Sequence, residues 1–132
     1  MELTRLLAFD ADDLIVLSAH LEGAKVLRSN IAYLPNEKRF ALVVIRHDPE
    51  NAKDEHITGL HFNRVNRVMT HHLPSEDQAE PLTLIGMAFE PEIAPSGFVV
   101  LMFEGLCAIR LQVECLEASL SDLPGQADAK DS

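Results

Sequence analysis

No uncharged apolar run in this 132-residue chain approaches the roughly 18 residues that span a bilayer. The opening Met1-Glu2-Leu3-Thr4-Arg5 lacks the basic-then-apolar order of a signal peptide, and the short apolar stretch from Leu6 to Phe9 runs at once into Asp10, Asp12 and Asp13. These absences predict a cytoplasmic chain with no membrane partner. Basic residues are scarce: 11 Lys and Arg stand against 21 Asp and Glu, for a net charge of −10. That balance opposes a general affinity for phosphate backbones and anionic lipid surfaces, so nucleic acid is not an expected partner. The six glycines are dispersed, which leaves no Walker loop and no dinucleotide fingerprint. Only two cysteines occur, Cys107 and Cys115. They read as lying in a strand that runs into a helix, too far apart for a disulfide, and both are expected to be buried, reduced and structural.

What is present describes one soluble domain. Apolar side chains make up 47% of the chain and charged ones 24%, and a chain of this length buries enough surface to fold without a metal or disulfide staple. Residues 1–123 are expected to form a single globular domain, with 124–132 a disordered tail that carries no apolar side chain larger than alanine. The charge is uneven. Residues 1–24 carry net −4, residues 25–67 net +3 and residues 68–132 net −9, so the middle third is a basic island.

Local patterns then divide the chain. Residues 3–9 read as a short strand, after which Asp10 can cap a helix whose Leu14, Leu17 and Leu21 share one stripe and which Gly23 ends. Residues 26–34 and 39–47 flank the proline-led turn Pro35-Asn36-Glu37-Lys38 and are expected to pair antiparallel. Within the second, Phe40-Ala41-Leu42-Val43-Val44-Ile45 is apolar on both faces, the mark of an interior strand covered by the core on one side and by a helix or a partner subunit on the other. A polar loop spans 48–55. The extended stretch 57–72 slips in apolar phase near Asn63 and Arg64, as a β-bulge would require. Further strands are read at 82–90, 98–103 and 106–113, the last after a tight turn at Glu104-Gly105. Val113, Leu116, Leu120 and Leu123 repeat at three, four and three, which predicts a closing C-terminal helix stopped by Pro124 and Gly125.

No arrangement of reactive side chains is diagnostic. His71 and His72 are adjacent in a predicted strand and point to opposite faces, while His61 and His71 are about 33 Å apart along a straight strand, so neither pair chelates a metal unaided. There is no Gly-x-Ser-x-Gly elbow, and neither cysteine has electropositive neighbours in the sequence. No catalytic residue, metal or cofactor is therefore expected. The most suggestive polar group is Arg39, Arg46, His61, Arg64 and Arg67, spread over neighbouring strands of the basic island. Arginines on a sheet can hold a carboxylate or phosphate in bidentate fashion, which suits a small anionic ligand or the acidic surface of a partner. The same charges are also what ordinary cross-strand pairing with acids such as Glu37 or Glu55 would produce.

Several segments carry a resemblance: Leu7-Ala8-Phe9-Asp10-Ala11-Asp12-Asp13-Leu14, Ile31-Ala32-Tyr33-Leu34-Pro35, Gly59-Leu60-His61-Phe62-Asn63-Arg64-Val65, Ala94-Pro95-Ser96-Gly97 and Ala108-Ile109-Arg110-Leu111-Gln112-Val113-Glu114-Cys115. Together they resemble a bacterial family of short cytoplasmic proteins known as a domain of unknown function. Members of that family often carry an aromatic pair after the arginine where this sequence reads Arg46-His47-Asp48-Pro49, and the resemblance assigns no catalytic residue. The pattern of elements predicts an α+β fold: an antiparallel, bent sheet or half-open barrel of about seven strands with one helix near the start and one at the C-terminal end, a pleckstrin-homology-like (PH-like) arrangement. The expected role is a non-enzymatic binding or assembly module, a homodimer built on the two-sided apolar strand or on the basic island. The alternative is a small enzyme or metabolite sensor that binds an anionic ligand at the Arg/His cluster.

Overall fold

A computed structural model describes residues 5–47 and 55–123. The chain begins as expected. Strand β1 (Arg5–Ala8) leads to Asp10, whose carboxylate accepts the Asp13 amide at 2.8 Å, and helix α1 (Ala11–Leu21) follows with Leu14, Leu17 and Leu21 buried. Asp13 returns the contact by accepting the Phe9 amide at 3.0 Å, so two otherwise free donors at the helix start are satisfied. Gly23 sits at φ 84°, the left-handed turn that releases the chain from the helix. Its amide then donates to Leu84 O at 2.8 Å, and the Leu84 amide donates to Ala24 O at 2.9 Å, which ties the helix end to a distant strand.

The rest is antiparallel sheet. Strands β2 (Lys25–Leu34) and β3 (Arg39–His47) form the hairpin around a short 3-10 turn at Pro35–Glu37, closed by Lys38 in left-handed conformation. They are followed by β4 (Glu55–Phe62), β5 (Val65–His71), β6 (Leu82–Pro91), β7 (Gly97–Phe103), β8 (Cys107–Val113) and β9 (Ala118–Asp122). The nine strands run in the order β1-β9-β4-β3-β2-β6-β7-β8-β5. β2 joins two parts of the sheet, because it pairs with β3 over both its ends but with β6 only at Lys25 and Val26. The sheet curls there until its last strand faces β2 again. The Tyr33 hydroxyl donates to Val65 O at 3.1 Å, the Val65 amide to Lys38 O at 2.8 Å, and Arg28 Nε to Pro74 O at 2.9 Å. Buried side chains from both parts and from α1 form one cluster, with Phe40, Phe62, Phe103, Leu14 and Leu17 among its largest fully enclosed members.

Three expectations are corrected. Among the described residues the sheet has nine strands rather than seven and stays open, with β1 and β5 as its edges, so the fold is mostly β with one α-helix and not the expected α+β arrangement. The C-terminal helix is not formed: Val113 ends β8, Leu116 packs into the core from the connection, and 118–122 is strand β9, inserted between β1 and β4. The 3-4-3 leucine stripe coincides with a period-two pattern in which Ala118, Leu120 and Asp122 point inward, and pairing on both edges favours the strand. Without that helix the PH-like arrangement is lost as well. Finally, the stretch 57–72 is not one bulged strand. Arg64 adopts φ 61°, and the chain turns there from β4, paired with β3 and β9, to β5, paired with β8.

Both cysteines are free thiols, Cys107 buried and Cys115 half-buried. His72 lies past the end of β5 with φ 55°, which brings its ring edge-on against His71 at 4.1 Å between centroids instead of on the opposite face. The loop expected at 48–55 and the tail expected at 124–132 lie outside the described residues except for Glu55, where β4 begins. Among the described residues no helix is long and apolar enough to cross a membrane.

Candidate functional site

The alternation of β3 decides what each face of the first part of the sheet offers. Phe40, Leu42 and Val44 are buried, while Ala41, Val43 and Ile45 point the other way and are half-buried. In register with them on β4 lie His61, Gly59 and Ile57, and on β9 Ser119 and Ser121. Leu7 of β1 opposes Ser119 and is 53% exposed. Helix α1 packs on β6 and β1, so this outer face of β3 and β4 is an apolar surface edged by polar groups. The two-sided apolar strand seen in the sequence is therefore interior in the sheet order but covered on one face.

The polar edge contains three of the five candidate residues. Arg39 Nε donates to Asn63 Oδ1 at 3.1 Å, Asn63 Nδ2 donates to Glu117 Oε2 at 2.8 Å, and Arg64 Nε lies 4.0 Å from Glu117 Oε1. Next to this chain His61 Nδ1 is 2.9 Å from Ser119 Oγ. Burial first, and the Arg39 charge second, hold the His61 imidazole below its ordinary pKa, so the ring is neutral at neutral pH. A neutral imidazole beside a hydroxyl is the base and nucleophile of a catalytic pair, to which a triad adds a third group that orients the ring. Among the described residues the other ring nitrogen has no hydrogen-bond partner, and the nearby carboxylate of Glu117 is engaged by Asn63 and Arg64. The strip carries two guanidiniums against one carboxylate and presents a net positive edge.

Arg46 and Arg67 go elsewhere. Arg46 extends from the inner face of β3 into the core, where Nη2 lies 2.9 Å from both carboxylate oxygens of Asp122 and Nε donates to Thr58 Oγ1 at 3.2 Å. The Thr58 hydroxyl donates to Asp122 Oδ1 at 2.7 Å. The side chains of Arg46 and Asp122 are only 11% and 3% exposed, so this is an internal ion pair that fixes β3, β4 and β9 to each other. Arg67 is exposed on β5, in the other part of the sheet, opposite Gln112. The acids that pair with the arginines of the cluster are Glu117 and Asp122, whereas Glu55 lies 3.9 Å from His47. Both lie in the segment read as helix, which hid them.

A second feature had no counterpart in the sequence reading. Between β2 and the free edge of β5 is a cleft of about 210 Å³ whose walls include Arg28, Ile31, Tyr33, Phe40, Val68 and Ile109. It exists because β2 changes register between Val26 and Ile31, which swings residues 27–30 away from β3. The apolar residues of β2 change parity across that gap, Val26 on one phase and Ile31 with Tyr33 on the other, and this is the signal that could have located it. No group of three His, Cys, Asp or Glu side chains among the described residues is arranged to hold a metal ion.

Among the described residues, an open antiparallel sheet with one α-helix and an apolar outer face defines the general class of a small β-rich domain. The chain belongs to the family described as protein of unknown function (DUF2948), whose model matches residues 4–132. No curated protein and no solved structure matches it.

Proposed function

We propose that this protein is a non-enzymatic binding module that acts as a homodimer through the outer face of β1, β9, β4 and β3. The observation behind this reading is that face itself: Leu7, Val43, Ile45 and Ile57 lie on it around Gly59 and Ala41, with no described element laid across β3 and β4. Contiguous apolar surface rimmed by polar groups is the usual form of a protein contact. A second copy suits it because a two-fold contact must be self-complementary, and the rim holds both Arg39 with Arg64 and Glu117. The chain's net charge of −10 leaves nucleic acid and anionic membranes outside the proposal.

Light scattering on the eluted protein tests it. The expected result is a single species at twice the chain mass, returned to the monomer by Val43→Glu, which places a charge at the centre of the face without touching the core. A wild-type monomer at every concentration tried, or a dimer that tolerates Val43→Glu, rules the reading out.

A further inference from the structure

The cleft between β2 and β5 lies in the other direction from the outer face, and it has a different chemistry. Its accessible apolar wall is made by the half-buried Ile31, Val68 and Leu73, with Phe40 and Ile109 enclosed beneath them, and its mouth is set by one cation, Arg28, with the carboxylate of Glu76 beside it. The Arg28 side chain is 18% exposed. Its Nε is occupied by the Pro74 carbonyl at 2.9 Å, and Nη1 is 3.9 Å from Glu76 Oε1, beyond hydrogen-bond distance. Glu76 itself is 76% exposed and sits on the connection after β5. A guanidinium so largely withdrawn from water is stabilised by a close, hydrogen-bonded counter-charge, and a distant solvated carboxylate supplies little of it. The geometry also shows which counter-charge fits, because the group already standing at the mouth is a carboxylate. Burial pushes the nearby Cys107 thiol up, and the Arg28 charge works against that shift, so the guanidinium's field reaches into the protein.

We propose that this cleft binds a small amphipathic monocarboxylate, with its apolar body against the half-buried Ile31, Val68 and Leu73 and its carboxylate on the terminal nitrogens of Arg28 in place of Glu76. The volume sets the size class: about 210 Å³ is below the roughly 300 Å³ at which drug-sized ligand pockets begin, so the ligand is a short-chain or single-ring acid. Glu76 acts as an internal placeholder that the ligand displaces. This site is independent of the outer face, and neither reading depends on the other.

The test is calorimetric titration of the full chain with octanoate and benzoate, with octanol and inorganic phosphate as probes lacking the charge or the apolar body. Saturable one-to-one binding of at least one acid is expected, with octanol and phosphate much weaker. Arg28→Gln should weaken the acid roughly ten- to a hundredfold, the loss of a charge-assisted hydrogen bond. Val68→Trp, which fills the cleft from its apolar wall and leaves Arg28 in place, should abolish binding. Glu76→Gln should tighten it, about twofold to fivefold, by removing a competing carboxylate. That last variant alters an exposed side chain, so it stays informative even if Arg28→Gln loosens the fold through the lost Pro74 contact. Failure of both acids to bind, equal binding of phosphate, binding unchanged by Val68→Trp, or weaker binding in Glu76→Gln would each overturn the proposal.

Discussion

The two parts of the curled sheet are held in register by different means. In β1-β9-β4-β3-β2 the inner face is apolar at one end and ionic at the other, and the only buried polar residues among those described, Thr58 and Asp122, both lie there. In β6-β7-β8-β5 the inward side chains are apolar throughout, including Leu84, Val99, Leu101, Ile109 and Leu111. Connectivity differs in the same way. β6, β7 and β8 follow each other through short turns, whereas β9 must return from the far end of the sequence to fit between β1 and β4. A strand brought in from so far has no turn to set its register. The Arg46–Asp122 pair with Thr58 supplies one, because a one-residue slip of β9 would put Ser121 or Leu123 opposite the guanidinium. Ion pairing thus sets the register of the part that is assembled from distant segments, and close packing sets that of the part assembled locally.

The largest effect should come from breaking the ionic element. Arg46→Met removes the guanidinium from beside a carboxylate that is 3% exposed, and a loss of about 3–5 kcal/mol in denaturant unfolding is expected. The double variant Arg46→Met, Asp122→Leu makes the first part of the sheet resemble the second. It should recover most of that loss, since well-packed apolar side chains replace buried ion pairs at little cost. If the double variant is stable but shows broadened amide resonances confined to β9, the pair is shown to supply register rather than stability. A double variant as unstable as the single one would contradict the comparison.

A smaller effect is expected in the locally assembled part. At Gly97, where β7 begins, an added Cβ would lie 2.5 Å from Glu90 O and 2.8 Å from Phe89 Cζ. The backbone atom cannot move without parting β6 from β7, so Gly97→Ala should cost about 1–3 kcal/mol, the usual range for overpacking. Hydrogen exchange should show opening of the β6–β7 pair first, with β3 and β4 still protected. Uniform loss of protection across all nine strands would mean that the two parts do not differ.

The same division explains what could be read in advance. Helix α1 was legible because Asp10, the leucine stripe and Gly23 act within one short segment. The β2–β3 hairpin was legible from its proline-led turn for the same reason. β9 was not, since its conformation is imposed by β1 and β4, and the inward Asp122 looks like a solvent-facing residue until its partner Arg46 is known. At Asn63 and Arg64 the sequence shows the phase slip at the right place, but a bulge and a change of sheet partner leave the same trace in one strand. Of the arginine group, Arg39, His61 and Arg64 do share a surface. Strand spacing alone could not show that Arg46 points inward, because parity separates faces only once the strand's neighbours are fixed.

The smallest effect concerns His61, which lies on the outer face of the part held by ionic pairing. Burial first and Arg39 second depress its folded-state pKa below the ordinary 6.5. In the unfolded chain the ring takes up its proton near that ordinary value, so between the two values the unfolded state binds more protons and stability rises with pH. The contribution is present above about pH 6.5 and is lost as pH falls through the lowered folded value. Because the ring is only part-buried the change should be modest, and it is separable from that of Glu114, whose carboxyl is held below its ordinary 4.5 by the Lys38 hydrogen bond and titrates in a more acid range. Urea unfolding at pH 7.5 and 5.5 should show the difference in wild type and a smaller one in His61→Gln, while a ring titration followed by NMR should place the His61 midpoint under 6.5. Self-association through the same face would desolvate the ring further, so the midpoint should fall as protein concentration rises. A midpoint at or above 6.5, in either the dilute or the concentrated sample, would show that neither burial nor Arg39 acts on the ring in this way.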